Sequence, residues 1–119
     1  MRRMSFSLTK KQIRERTKTV TRRLGWESLK PGERFIAVEK CMGLKKGEKH
    51  TVLAFCECVS NRREKLRAVT NEDVVLEGFS GYTREDFIDM FWRKMNCHPN
   101  KFVNRIEFKY VVEPEAQPC

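Results

Sequence analysis

The feature that most narrows the fold of this chain is one sustained helical period near its C-terminal end. Phe87, Phe91 and Met95 recur at i, i+4 and i+8, with Ile88 and Trp92 beside them, and Thr83 stands at the capping position. A helix of about three turns cannot bury its own apolar stripe and must lie against another layer. The rest of the chain offers mainly strands for that layer. Met4–Leu8 is a first short apolar stretch, and Thr17–Arg23 is rich in Thr and Val and reads as a strand or a helix-to-strand junction. Pro31-Gly32 turns the chain into Phe35–Val38, Thr51–Val59 alternates, and Phe102–Val112 closes the pattern with Val103, Ile106, Phe108 and Tyr110. Asn61–Lys65 reads as a polar loop, and Gly43 and Gly47 bracket a basic one.

Two lesser helices complete the order. Thr9-Lys10-Lys11-Gln12 has capping-box spacing, with Thr9 as N-cap, Gln12 reaching back and a helix to about Arg16. Thr70 or Asn71 caps a second helix through Leu76, which Gly78 breaks. The order strand, helix, strands, two helices, strand predicts an α+β fold with a mostly antiparallel sheet, long enough to close into a small barrel with about three packed helices. The aromatics of the 83–95 helix are expected in the core. A length of 119 residues allows one domain, taken as 1–112, with 113–119 and its two prolines a flexible tail.

No apolar run nears the roughly 18 residues of a membrane span, and the basic start has no signal-peptide apolar region. A cytoplasmic monomer without membrane contact is therefore expected. The odd set Cys41, Cys56, Cys58, Cys97 and Cys119 then reads as reduced thiols. The sharper alternative is zinc on Cys56-x-Cys58 with Cys97-His98, but no CxxC pair supports it. No metal and no other cofactor is expected, and His50 and His98 read as surface residues.

Charge is concentrated at the start. Residues 1–30 hold ten Lys or Arg against only Glu15 and Glu27, a surplus of eight in a chain whose net charge is +9. Such a field attracts polyanions, and Lys10, Lys11, Arg14, Arg22 and Arg23 are the candidates to contact RNA phosphates. The plainer alternative is a solvated face that serves solubility.

Lys18-Thr19-Val20-Thr21-Arg22-Arg23, Lys30-Pro31-Gly32-Glu33, Glu77-Gly78-Phe79, Phe87–Trp92 and Val103–Phe108 occur in an order that resembles the ASCH domain, a relative of the PUA RNA-binding barrels. The resemblance spans about residues 4–112. It implies a PUA-like β-barrel with helices packed against it and a cleft between them, with RNA or a modified nucleoside as partner. One branch of that family hydrolyses the acetyl amide of N4-acetylcytidine, and its Lys, Thr and Glu fall on Lys18, Thr21 and Glu77. Its basic residue at the end of the first stretch falls on Arg23, and Thr19 lies beside it as a further substrate contact. Many relatives place a left-handed glycine before the Lys. Here Arg16-Thr17 occupies that place, so a different backbone path is expected.

The chemistry of these residue types suits amide hydrolysis: Thr21 as nucleophile, Lys18 as base, Glu77 to orient substrate or pass a proton, and Arg23 for a phosphate or carbonyl oxygen. Burial and the neighbouring Arg22 and Arg23 would lower the pKa of Lys18. In a regular strand Lys18 and Thr21 point to opposite faces, so they converge only across a turn or bulge. Otherwise Thr19 and Thr21 are ordinary strand residues and Glu77 pairs with a nearby arginine. Two classes of function stay open: an amidohydrolase acting on an acylated pyrimidine nucleoside, or a module that binds RNA or another single-stranded nucleic acid, with a ribonuclease as its catalytic form.

Overall fold

Alternating residues of Phe35–Val38 and Cys56–Cys58 meet across the centre of a five-stranded sheet. The computed structural model describes residues 1–41 and 44–113. Its strands are β1 (Arg2–Ser5), β2 (Val20–Arg23), β3 (Arg34–Val38), β4 (Val52–Lys65) and β5 (Phe102–Val111). They run in the order β1-β3-β4-β5-β2, all neighbours antiparallel except the parallel pair β1–β3. The sheet curls into a half-barrel with β1 and β2 at its two edges. Helices α1 (Lys10–Arg14), α2 (Asn71–Leu76) and α3 (Arg84–Met95) complete the α+β fold expected from the pattern.

Two apolar cores result. Met4, Phe6, Ile13, Leu29, Phe35, Cys56, Cys58, Ile106 and Phe108 pack inside the curl. Leu66, Val69, Val74, Phe87, Phe91, Cys97 and Val103 pack between α2, α3 and the start of β5. Cys56 and Cys58 are therefore core residues, burial pushes the Cys56 thiol up to about 12, and Cys97 lies in the other core.

Several local expectations need correction. Asn61–Lys65 is strand, because β5 pairs with β4 all the way to Phe102↔Lys65. A bulge between Cys58 and Ser60 adds a residue and switches the inward face from Cys58 to Asn61, whose amide donates to the carbonyls of Trp26 and Leu29 at 2.8 Å. Polar composition disguised a strand whose partners on β5 include Ile106, Val103 and Phe102. Thr9 caps α1 without a side-chain bond, and Gln12 does not reach back. Its Nε2 instead donates to the Gly78 carbonyl at 2.9 Å, 66 residues away. Of the aromatic stripe, Phe87 and Phe91 are buried, but Trp92 and Met95 are exposed. Of the tail, residues 114–119 lie outside the described residues.

Arg16 corrects the expected backbone path. It takes φ 61°, with Thr17 N–H donating to Gln12 O and Arg16 N–H to Ile13 O. These two bonds form a Schellman C-cap with arginine in the glycine position. The left-handed turn is kept, at a cost of about 1–2 kcal/mol to a residue with a Cβ.

The candidate active site

The gap between the two edge strands is where the site forms. A cavity of about 250 Å³ opens there, lined from the β1 side by Ser5–Thr9, from the β2 side by Lys18 and Thr21–Leu24, and from the helices by Glu77, Phe79, Phe87 and Phe91. Arg23 spans the opening, donating from Nη2 to the Ser5 carbonyl on the far edge and from Nε to Thr21 Oγ1 at 3.2 Å. Its guanidinium also lies over the Phe6 ring, 4.6 Å from the centroid.

Lys18 and Thr21 both line this cavity because β2 begins only at Val20. Before it, Lys18 leaves the C-cap of α1 and is pinned by three hydrogen bonds to two separate segments. The Tyr110 hydroxyl donates to its carbonyl at 2.6 Å, while Nζ donates to Glu77 O at 2.6 Å and Glu77 Oε1 at 3.0 Å. Both side chains of this pair are 3% exposed. Phe6 and Phe79 flank the ammonium at about 6 Å from their centroids. Desolvation lowers the Lys18 pKa most; Glu77 opposes that shift, and Arg23 and Arg22 add to it.

Glu77 is positioned by the end of α2. Its carboxylate is shared, with Oε1 on Lys18 and Oε2 on Arg22 Nη1 at 3.0 Å. Gly78 follows with φ 94°, which turns the chain back so that Phe79 also reaches the cavity. A Cβ there would meet Gln12 Cγ at 3.0 Å and Cβ at 3.1 Å. Gly78→Ala is expected to cost about 1–3 kcal/mol through the left-handed backbone alone. A melting curve unchanged from wild type would refute that.

Behind Glu77 lies an ion network of which the sequence suggested only the pairing of Glu77 with an arginine. Arg22 (β2) and Arg105 (β5) stand directly opposite each other, an arrangement unfavourable for like charges. Asp73, from the first turn of α2, is wedged between them. Its Oδ2 accepts from Arg22 Nη2 at 2.5 Å and Arg105 Nε at 2.8 Å, and its Oδ1 accepts from Arg105 Nη2 at 3.0 Å. Glu64 adds a bond to Arg22 at 3.1 Å. Three buried cations (Lys18, Arg22, Arg105) thus face three carboxylates (Glu64, Asp73, Glu77). Arg23 is the fourth cation and has no carboxylate within 4 Å among the described residues. Burial lowers its pKa to about 10, so it is still protonated at neutral pH.

The remaining candidates lie apart. Arg22 is fully buried in the network, so its guanidinium is not part of an exposed basic face. Thr19 is outside the cavity lining; its backbone donates to Leu76 O and accepts from Phe108 N. Lys10 and Arg14 sit 3.1 and 3.8 Å from Glu39, and Lys11 sits 3.8 Å from Glu15, all on the α1 surface. Among the described residues no group of three or more His, Cys, Asp or Glu is placed to hold a metal ion, and no helix is long and apolar enough to cross a membrane.

This half-barrel, with a cleft at its open edge, is an ASCH-like fold. It is similar to the crystal structure of an ASCH domain from Lactobacillus crispatus JV V101, with TM-score 0.59 at 16% identity over 91% of this chain and 77% of that one. It is equally similar to protein EF3133 from Enterococcus faecalis V583, of family-model DUF984, with TM-score 0.59 at 15% identity over 92% of this chain and 75% of that one. No family model and no curated protein sequence matches the chain.

Proposed function

We infer that the cavity hydrolyses an acyl amide on the exocyclic amine of a pyrimidine nucleoside, of the N4-acetylcytidine type. The observation that carries this reading is the convergence of Lys18, Thr21, Glu77 and Arg23, from separate segments, on one cavity walled by aromatic rings. Its volume lies near the lower end of small-ligand sites. That size suits a nucleoside better than a strand.

The chemistry follows from the hydrogen bonds. Lys18 donates twice to Glu77, which leaves one position on Nζ for the cavity. In its neutral form that position is a lone pair, able to take the Thr21 hydroxyl proton as Oγ1 attacks the acyl carbon. The Arg23 guanidinium, already bonded to Thr21 Oγ1, supplies positive charge where negative charge develops. As the C–N bond breaks, the Lys18 proton passes to the leaving amine, freeing the nucleoside and leaving an acyl ester on Thr21. Water then hydrolyses that ester by the same route in reverse order, releasing the carboxylic acid. Glu77 holds Lys18 in place throughout and compensates its charge in the protonated state.

The direct test is release of cytidine from N4-acetylcytidine by the purified protein. Thr21→Val keeps the shape and removes the hydroxyl. It is expected to lower turnover by about 100-fold or more, with a stability loss of only about 1 kcal/mol. Turnover retained in Thr21→Val would remove the nucleophile. Wild type inert on this substrate while still binding RNA would favour the alternative, a binding module or a ribonuclease. That alternative has Lys10, Lys11 and Arg14 as sequence support, but each already lies within 4 Å of a carboxylate.

A further inference from the structure

Away from the cavity, the β4–β5 ribbon presents an aromatic ring to solvent among unpaired cations. Phe102 opens β5 and is 49% exposed, unusual for a phenylalanine at the start of a central strand. The register sets Lys65 directly opposite Phe102 and Arg63 opposite Asn104, so these four side chains share one face of the ribbon. The Arg63 guanidinium carbon lies 5.0 Å from the Phe102 ring centroid and Lys65 Nζ lies 6.0 Å from it. Lys101 precedes the ring and is exposed. Among the described residues none of Arg63, Lys65 and Lys101 has a carboxylate within 4 Å. That sets them apart from Lys10, Lys11 and Arg14.

Arg63, Lys101 and Phe102, though not Lys65, line a shallow depression with Leu24, Gly25, Glu27 and Asn104. Leu24 also lines the cavity described above, so the two hollows adjoin. Asn104 fixes the shared wall by donating from Nδ2 to the Gly25 carbonyl at 2.5 Å. Glu27 is the one carboxylate on the lining.

We propose that Phe102 and Arg63, with Lys65 and Lys101, form a stacking platform for one base of a single-stranded nucleic acid. An aromatic ring and a guanidinium plane both offer a face to an unstacked base, and unpaired cations beside them suit its phosphates. Charge complementarity therefore names the occupant: the platform joins an exposed ring to three cations that, among the described residues, have no carboxylate within 4 Å and outnumber the single Glu27 on the lining. A duplex keeps its bases stacked and cannot use the ring. The proposal does not rest on the hydrolase reading, because a protein that never releases cytidine would still bind through this face.

The test is fluorescence anisotropy with a labelled oligouridine of about ten nucleotides, beside oligothymidine and a duplex of equal length. Phe102→Leu, which keeps apolar bulk without a π-face, is expected to weaken oligouridine binding by about tenfold or more, and Phe102→Trp to keep it within about threefold. Arg63→Gln and Lys101→Gln are each expected to lower the log–log salt slope by about 0.7. The double variant Lys10→Gln/Lys11→Gln should leave the affinity within about twofold. Oligothymidine binding in parallel with oligouridine, with the same loss in Phe102→Leu, would support the platform. No binding at low salt, equal binding of the duplex, or Phe102→Leu and Phe102→Trp both matching wild type would overturn it.

Discussion

Lys18→Arg is expected to reduce turnover of an acylated cytidine by about 100- to 10,000-fold while leaving KM nearly unchanged. The positive charge beside Glu77 survives the substitution, but a guanidinium does not deprotonate near neutral pH and cannot accept the Thr21 proton. The size of the loss is the usual contribution of a positioned general base. Wild-type activity carries the same group in its pH dependence. Burial lowers the Lys18 pKa from its ordinary 10.5, so the neutral base appears at lower pH than on an exposed lysine. Activity should rise with pH up to that lowered value and fall on the acid side, where Nζ is protonated. Lys18 is 3% exposed and the arginine is larger, so a melting curve must accompany the assay. A Lys18→Arg protein that keeps turnover within about threefold would remove Lys18 as the base. A pH profile with no loss of activity on the acid side would do the same.

Most of the strands and the α3 helix were readable because short-range pattern sufficed, whereas the strand order and the parallel β1–β3 pair were not. Alternation located β3 and most of β5, and Thr83 with Asp86 forms the capping box that starts α3. The Thr83–Asp86 pair is a local signal; the Thr9–Gln12 pair looks the same in sequence and behaves differently. Gln12 has a carbonyl acceptor at Gly78 that spacing cannot reveal. The far half of β4 was hidden for a related reason. Asn61, Arg62, Arg63, Glu64 and Lys65 look like a loop unless one knows that a bulge at residue 59 turns Asn61 inward and Glu64 toward Arg22.

The candidate site divides along the same line. Lys18, Thr21, Arg23 and Glu77 are named through the resemblance to the ASCH domain, and all four line the cavity. Thr19 follows them in sequence but not in space, because its neighbours on both sides tie it to α2 and β5 through the backbone. Asp73 and Arg105 gave no signal. An acid in the first turn of α2 reads as a partner for the helix dipole, and an arginine between Asn104 and Ile106 reads as outward-facing. Both faces of β5 are covered, by Phe108 and its neighbours on one side and by α2 and α3 on the other. Only that layering turns Arg105 into a buried residue.

Asp73→Asn is expected to destabilise the fold by about 3–5 kcal/mol, the cost of removing one partner from a buried ion pair. In this network the removal leaves two guanidiniums, of Arg22 and Arg105, facing each other across β2 and β5 with the wedge between them uncharged. A domain of this size holds only about 5–15 kcal/mol in total, so the variant should melt roughly 10–20 °C lower. Its pH behaviour gives a second readout. Arg105 foremost, with Arg22, holds the Asp73 carboxyl well below the usual carboxylate range. A depressed carboxylate contributes its stability in full above its unfolded value of 3.8 and loses it as pH falls toward the folded value. Wild type should therefore lose stability below about pH 4, while Asp73→Asn loses less over the same interval. Adding Arg105→Gln to Asp73→Asn removes one of the stranded cations, so the double variant should be more stable than the sum of the two single losses. Additive losses in that cycle, or an Asp73→Asn protein that melts within about 3 °C of wild type, would show that the wedge does not hold the two strands.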